Sequence, residues 1–152
     1  MIGLLQRVTR AAVDVDAETV GAIGPGLLVL LGVARGDGTR EADRLLERIA
    51  TYRIFDDADG RMNVSLADSG GALLVVSQFT LAADTHKGTR PGFSTAAAPA
   101  DGERLYDYFV AAARRRIGTV ATGRFGARMK VTLINDGPVT FWLEVTPRDT
   151  AE

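Results

Sequence analysis

The chain has no cysteine and a single histidine, His86, and these two scarcities narrow its chemistry before any motif is considered. Without thiols there is no disulfide framework, no thiolate nucleophile and no cysteine-built metal site. One imidazole cannot assemble the multi-histidine clusters typical of catalytic zinc. Any acyl chemistry must then rest on hydroxyls, backbone N–H groups, carboxylates or a group that the substrate supplies. Long apolar runs are missing too. The longest, residues 26–34, is far short of the ~20 residues a membrane helix needs, and the opening Met1-Ile2-Gly3-Leu4-Leu5-Gln6-Arg7 lacks a signal peptide's layout. These features predict a soluble, cytoplasmic protein. Repeats and low-complexity tracts are also absent.

Charge of one sign is not in excess. A net charge of −1 argues against general binding along nucleic acid. The distribution is less even: Arg104, Arg114, Arg115, Arg116, Arg124, Arg128 and Lys130 face one acid, Asp107, over residues 104–130, which leaves room for a local basic surface.

What is present fits one α/β domain in 152 residues. We assign residues 1–147 to it and 148–152 to a short tail. Residues 2–15 have a strand pattern with an irregular middle, and residues 18–23 form a partner strand after an Asp16-Ala17 turn. Residues 27–33 are continuously apolar, the pattern of a strand covered on both faces, with a short buried helix as the alternative that periodicity leaves open. Ala42, Leu45, Leu46 and Ile49 recur at helical spacing and predict a helix over 40–55. The acidic run Asp56-Asp57-Ala58-Asp59-Gly60 lacks the full alternation of ligands and the closing Glu of a calcium loop, so it is read as an acidic turn.

Residues 72–78 form a second apolar strand, and residues 84–93 a glycine- and charge-rich loop that is either ligand-facing or merely solvated. A second helix is predicted from Asp101, as N-cap, to Ile117, burying Leu105, Tyr108, Phe109 and Ala112. Arg114, Arg115 and Arg116 fall in its last turn, where they complement the carbonyl end of the helix dipole without any RNA. Gly123-Arg124-Phe125-Gly126 has the flanking glycines of a KH loop but precedes a strand, so a strand connection is the better reading. Residues 129–134 and 141–145 read as a hairpin around Asn135-Asp136-Gly137-Pro138-Val139-Thr140. Pro138 cannot donate a ladder bond there, and its bond to Gly137 has a real chance of being cis.

Two stretches together are far more specific. Ser77-Gln78-Phe79-Thr80-Leu81 and Asn135-Asp136-Gly137-Pro138-Val139-Thr140 resemble the two signature motifs of the D-aminoacyl-tRNA deacylases, which remove D-amino acids from tRNA. The resemblance covers nearly the whole chain. It includes Gln6-Arg7-Val8, Gly32-Val33, Arg53-Ile54-Phe55, Met62-Asn63, Lys87-Gly88, Arg90-Pro91 and Thr122-Gly123-Arg124-Phe125-Gly126. Gly92 and Arg128 depart from the family's usual serine and acid.

That resemblance implies a single compact fold of layered, mostly antiparallel or mixed β-sheets, barrel-like and covered by two main helices. It also implies a homodimer with active sites at the subunit interface, acting on the 3′-terminal aminoacyl-adenosine of tRNA, without cofactor or metal and with neither DNA nor membrane as partner. Thr80, Ser77, Gln78 and Phe79 are the implied catalytic stretch. Phe79, Met129, Gly137, Pro138, Arg7 and Phe125 are the implied substrate-binding residues. A cis Gly137-Pro138 tip from the second chain is expected to exclude an L-side chain, and glycine, having none, escapes exclusion. Backbone N–H groups near Phe79 and Thr80 would stabilise the oxyanion. Thr80 is read as an orienting hydroxyl, the alternative being a nucleophile that lacks an adjacent base. A non-catalytic RNA-end binder, or a hydrolase of free small esters or D-peptides, would be distinguished by assay.

Overall fold

In the computed structural model, which describes residues 1–151, the long strand β1 (Ile2–Val15) organises the sheet. Its first half pairs with β3 (Gly26–Gly32) and its second half with β2 (Glu18–Ile23). The turn between β1 and β2 places Asp16 and Ala17 at φ of 49° and 64°, the left-handed pair that a tight two-residue hairpin demands. β6 (Ala72–Ser77) adds to β3 in parallel, and β7 (Val120–Thr122) adds to β6 in parallel. β8 (Lys130–Glu144) runs antiparallel along nearly all of β1.

The mixed sheet curls until β2 approaches β7. At Gly21 a Cβ would lie 2.1 Å from the Thr122 carbonyl oxygen, so only glycine permits this near-closure into a barrel. Because β3 and β6 are covered on both sides, their alternate residues enter two different cores. Leu27, Val29, Leu31, Leu73 and Val75 pack under the helices α1 (Thr39–Thr51) and α3 (Pro99–Arg116), against Leu45, Ile49, Leu105 and Phe109. Leu28, Leu74 and Val76 join Val8, Val13 and Ile23 on the opposite face. Burying each such side chain contributes roughly 1.5–3 kcal/mol, which is why these runs carry no polar interruption before Ser77.

Several boundaries differ from expectation. α1 ends at Thr51 rather than continuing to 55, and a small hairpin of β4 (Arg53–Asp56) and β5 (Met62–Ser65) follows. Ile54 is fully buried, so it extends the apolar spacing past the helix while belonging to a strand. A short α2 (Leu66–Ser69), capped by the Ser65 hydroxyl, leads into β6. The N-cap of α3 is Ala98, with Pro99 in the first turn, rather than Asp101; its buried tyrosine is Tyr106, while Tyr108 lies near the surface and donates to Asp43.

Between β4 and β5 the Asp57 carboxylate accepts from the Asn63 side chain and from the Asp59 and Arg61 N–H groups. The bond from Asn63 is the largest of the influences that hold it below the usual carboxylate range. It closes a turn, as the acidic-turn reading has it.

Beyond β8, Thr150 donates its hydroxyl to the buried Glu41 carboxylate, and its carbonyl accepts from Arg40. Glu152, the end of the expected tail, lies outside the described residues.

Candidate active site

β6 stops at Ser77, sooner than the run of motif residues suggests. Gln78 makes the last ladder contact, its N–H donating to the Leu31 carbonyl at 2.8 Å. Phe79–Ala82 then turns as a short 3₁₀ helix. The Leu81 N–H bonds back to the Gln78 carbonyl and the Ala83 N–H to the Thr80 carbonyl. Among the described residues no backbone carbonyl accepts from the N–H groups of Phe79 and Thr80, first in the turn, which are left as donors.

Gly32 makes the sharp change of direction possible. A Cβ there would stand 2.9 Å from Leu81 Cβ and 3.2 Å from the Gln78 carbonyl oxygen, so β3 must end in glycine for the turn to lie across it.

The turn separates two hollows. The deeper one has a volume of 460 Å³ and is bordered by Ser77, Gln78 and Phe79 on one side and Phe125 and Met129 on the other, with Tyr106 and Pro99 also lining it. Its lining is largely apolar and aromatic, and its size lies in the ~300–1,000 Å³ range of small-molecule sites. Phe79 is 59% exposed, with its ring 5.2 Å from that of Phe93. Phe125 leans on Tyr106 at 5.9 Å, and Met129 Sδ accepts from the Arg124 N–H at 3.4 Å.

Tyr106 donates its hydroxyl to the Val75 carbonyl at 2.9 Å. Burial, and then the nearby Asp107 charge, push its pKa up to about 12, so it stays a neutral donor that ties α3 to β6 under the cavity. The tyrosine expected to be buried is Tyr108, which lies nearer the surface. The spacing from Leu105 and Phe109 suits either neighbour.

Thr80 borders the second, shallower hollow of 680 Å³, with Ile2, Trp142 and the loop carrying Asp84 and His86. Its Oγ1 accepts a 2.5 Å bond from Gln78 Nε2. His86 Nδ1 is 2.7 Å from Asp84 Oδ1, but its ring is not hydrogen-bonded to Thr80. The His86 N–H, donating to the same oxygen, is the foremost cause that holds the Asp84 carboxyl below its usual range. Residues 84–93 form an exposed loop pinned at its ends by mutual bonds between Asp84 and Gly92.

Arg7, Gly137 and Pro138 do not join either hollow within one chain. β8 is a single strand rather than two strands of a hairpin, and the expected turn is a bulge in it. β1 advances only from Gln6 to Val8 while β8 covers Thr140 back to Asn135, so residues 136–139 loop out of the ladder. Pro138, without an N–H, fits there because no ladder bond is required. The Gly137-Pro138 peptide is cis.

Asn135 closes the bulge, with Oδ1 accepting from the Val139 N–H at 2.7 Å and Nδ2 donating to Thr140 Oγ1 at 2.9 Å. Arg7, only 9% exposed, braces it: Nε donates to the Asp136 carbonyl and Nη1 to the Ile54 carbonyl, both at 2.9 Å, with Asp56 Oδ1 at 3.3 Å. In the register of the sheet the bulge opposite Arg7 is four residues along and three strands across from Ser77, a separation on the order of 20 Å.

The deep cavity is thus brought together from Ser77, Gln78, Phe79, Phe125 and Met129; Thr80 sits on the far side of the same turn, and the Gly137-Pro138 bulge is a separate, exposed feature held by Arg7. Comparison with known proteins agrees with the motif reading. A curated protein from Thioalkalivibrio sulfidiphilus (strain HL-EbGR7), named D-aminoacyl-tRNA deacylase, is 63% identical over 147 residues, covering 97% of this chain and 99% of that protein. One of the same name from Enterobacter sp. (strain 638) is 61% identical over 145 residues, covering 95% and 100%.

Among solved structures, c-Myc DNA unwinding element binding protein superposes with a TM-score of 0.92 at 39% identity, covering 96% of this chain and 99% of that one. A probable eukaryotic D-amino acid tRNA deacylase shares the fold at a TM-score of 0.80 and 20% identity, over 95% and 98% of the two chains. The profile of the D-Tyr-tRNA(Tyr) deacylase family matches residues 4–144, and the chain belongs to that family.

Proposed function

We propose that this protein hydrolyses the ester of D-aminoacyl-tRNA in the cytoplasm, and also that of glycyl-tRNA formed on tRNA-Ala, at sites shared between two copies of the chain. Deacylases are hydrolases acting on ester bonds, and membership of the family makes this chain one of them. The observation that carries the reading is the pair of N–H donors at the start of the turn, at Phe79 and Thr80, with Phe79 itself lining an apolar cavity of nucleoside-compatible size.

The terminal adenosine occupies the deep cavity, stacked against Phe79 and bordered by Phe125 and Met129. Its ribose then presents the ester to the start of the 3₁₀ turn. Water attacks the carbonyl carbon, aided by the neighbouring ribose hydroxyl of the substrate, and the N–H groups of Phe79 and Thr80 hold the developing oxyanion. The carbon–oxygen bond to the ribose breaks, the ribose oxygen takes up a proton, and the free amino acid and tRNA leave. Removing a single such donor elsewhere costs ~10²–10³ in rate, so a site without a catalytic imidazole remains adequate for an activated ester.

Gln78 donates into Thr80 Oγ1 and cannot accept its proton, which supports an orienting role for the Thr80 hydroxyl. Stereochemical selection is assigned to the Gly137-Pro138 bulge of a second copy, facing the amino acid's chiral centre and colliding with an L-side chain. Support comes from distance, since the bulge is too far from Ser77 to reach the same substrate in its own chain. Exposed Ile134 and Trp142 on β8 offer apolar surface for such a pairing.

Purified protein should release D-tyrosine from D-tyrosyl-tRNA and stay active after chelator treatment. Binding of the charged RNA end without turnover would reduce the protein to an RNA-end binding module. Activity that persists on free esters or D-peptides with no RNA present would reassign the substrate.

A further inference from the structure

Residues 123–129 join β7 to β8, and exposure alternates along them and into Lys130, the first residue of β8. Phe125, Ala127 and Met129 turn inward and line the deep cavity. Arg124, Arg128 and Lys130, between them, are exposed. Among the described residues none of these three side chains has a carboxylate within ion-pair distance, although the surface elsewhere pairs Arg44 with Glu47 and Arg104 with Asp101. No acid occurs from Tyr108 to Asn135 in a protein whose net charge is −1, and the acid that the register sets across from Lys130, Asp14, accepts from the Thr19 hydroxyl and forms no ion pair with it. The wall of the cavity is therefore apolar on its inner side and cationic on its outer side.

We infer that Arg124, Arg128 and Lys130 form a phosphate-binding rim that holds the RNA backbone immediately preceding the terminal nucleoside. This rests on the proposal that the cavity takes the terminal adenosine. A nucleoside seated between Phe79 and Met129 is covalently tied through its 5′ oxygen to a phosphodiester, which must leave the cavity over one of its walls. Of the cavity's walls, the 123–130 segment is the one whose outward side chains are cationic in alternation with its lining residues.

Such contacts carry no base information and act on affinity, not on the ester. Arg114 and Arg115 are poor candidates for this role. They lie at the other end of α3, about 18 Å along the helix from Gly102, which borders the cavity.

The test compares wild type with the double variant Arg124→Gln/Arg128→Gln, using fluorescence titration of uncharged tRNA across salt concentrations and hydrolysis of D-tyrosyl-adenosine, which has no phosphate. The expected result is about tenfold weaker tRNA binding, a log–log salt slope shallower by about 2, and unchanged turnover of the adenosine ester. Unchanged tRNA affinity and slope would overturn the rim, as would equal loss on the adenosine ester, which would mean that the cavity itself was damaged.

Arg114→Gln/Arg115→Gln serves as control, and an equal loss of tRNA affinity there would replace the rim with diffuse charge. The two readings fail separately. Wild type that binds tRNA through the rim but hydrolyses nothing refutes the enzymatic proposal, and hydrolysis with an inert rim refutes this one.

Discussion

At Thr80 the neighbouring side chain is a donor, and that decides what the hydroxyl can do. With Gln78 Nε2 pointing into Oγ1, no base stands ready to take the proton. Thr80→Ser should keep activity within about tenfold, because it preserves the hydroxyl that orients. His86 is the one group that could revive a nucleophilic mechanism, since it borders the same hollow and is paired with Asp84. His86→Ala should leave kcat within a few-fold; a loss beyond about a thousandfold, or an acyl group trapped on Thr80 by mass spectrometry, would install a Thr-His-Asp arrangement instead. The identity of the motif residues was legible in the sequence, but their separation across the 3₁₀ turn was not. A strand would have set Ser77 and Phe79 on one face and Gln78 and Thr80 on the other, whereas the bend that Gly32 admits across β3 puts Ser77, Gln78 and Phe79 over one hollow and Thr80 over the other.

Two elements depend on buried polar groups that apolar periodicity does not register. The bulge at 136–139 is held by Arg7, whose position mid-strand gave no sign of which backbone carbonyls it would reach. Arg7→Met removes both carbonyl bonds and the contact with Asp56, and should lower stability by about 2 kcal/mol, while D-over-L discrimination falls more than D-activity does. Equal loss of both activities would confine Arg7 to stability.

The first turn of α1 depends on Glu41, whose carboxylate accepts from the Gly38 N–H at 2.7 Å and from the Thr150 hydroxyl. Burial is the largest influence and pushes its pKa up, but these bonds outweigh it and hold the group below its ordinary value of 4.5. A depressed carboxyl stabilises the fold above that value and loses the contribution as pH falls through its folded-state pKa. Glu41→Gln should therefore lower Tm at neutral pH, by about 1 kcal/mol in stability, and flatten the decline below pH 4.5. A difference that stays constant from neutral pH down to the acid limb would refute the linkage.

For the molecule as a whole, the strands were legible because β3 and β6 are apolar on both faces, and the two motifs were legible as a pair. What local pattern did not reveal was long-range geometry. Asn135 and Thr140 look like the ends of a hairpin, yet both lie along one strand beside β1, and only the register across the sheet distinguishes a bulge from a turn. That register places the two motifs on the order of 20 Å apart, which is the physical case for a site completed by a second copy. Light scattering at micromolar concentration should give the mass of a dimer, and a stable, fully active monomer would remove that case. The most direct measurement of the central claim is hydrolysis of a matched pair, D-tyrosyl-tRNA and L-tyrosyl-tRNA, by the same preparation under single-turnover conditions. D-tyrosine should be released rapidly with the L-ester left intact; comparable rates on both would rule out chiral selection at this site.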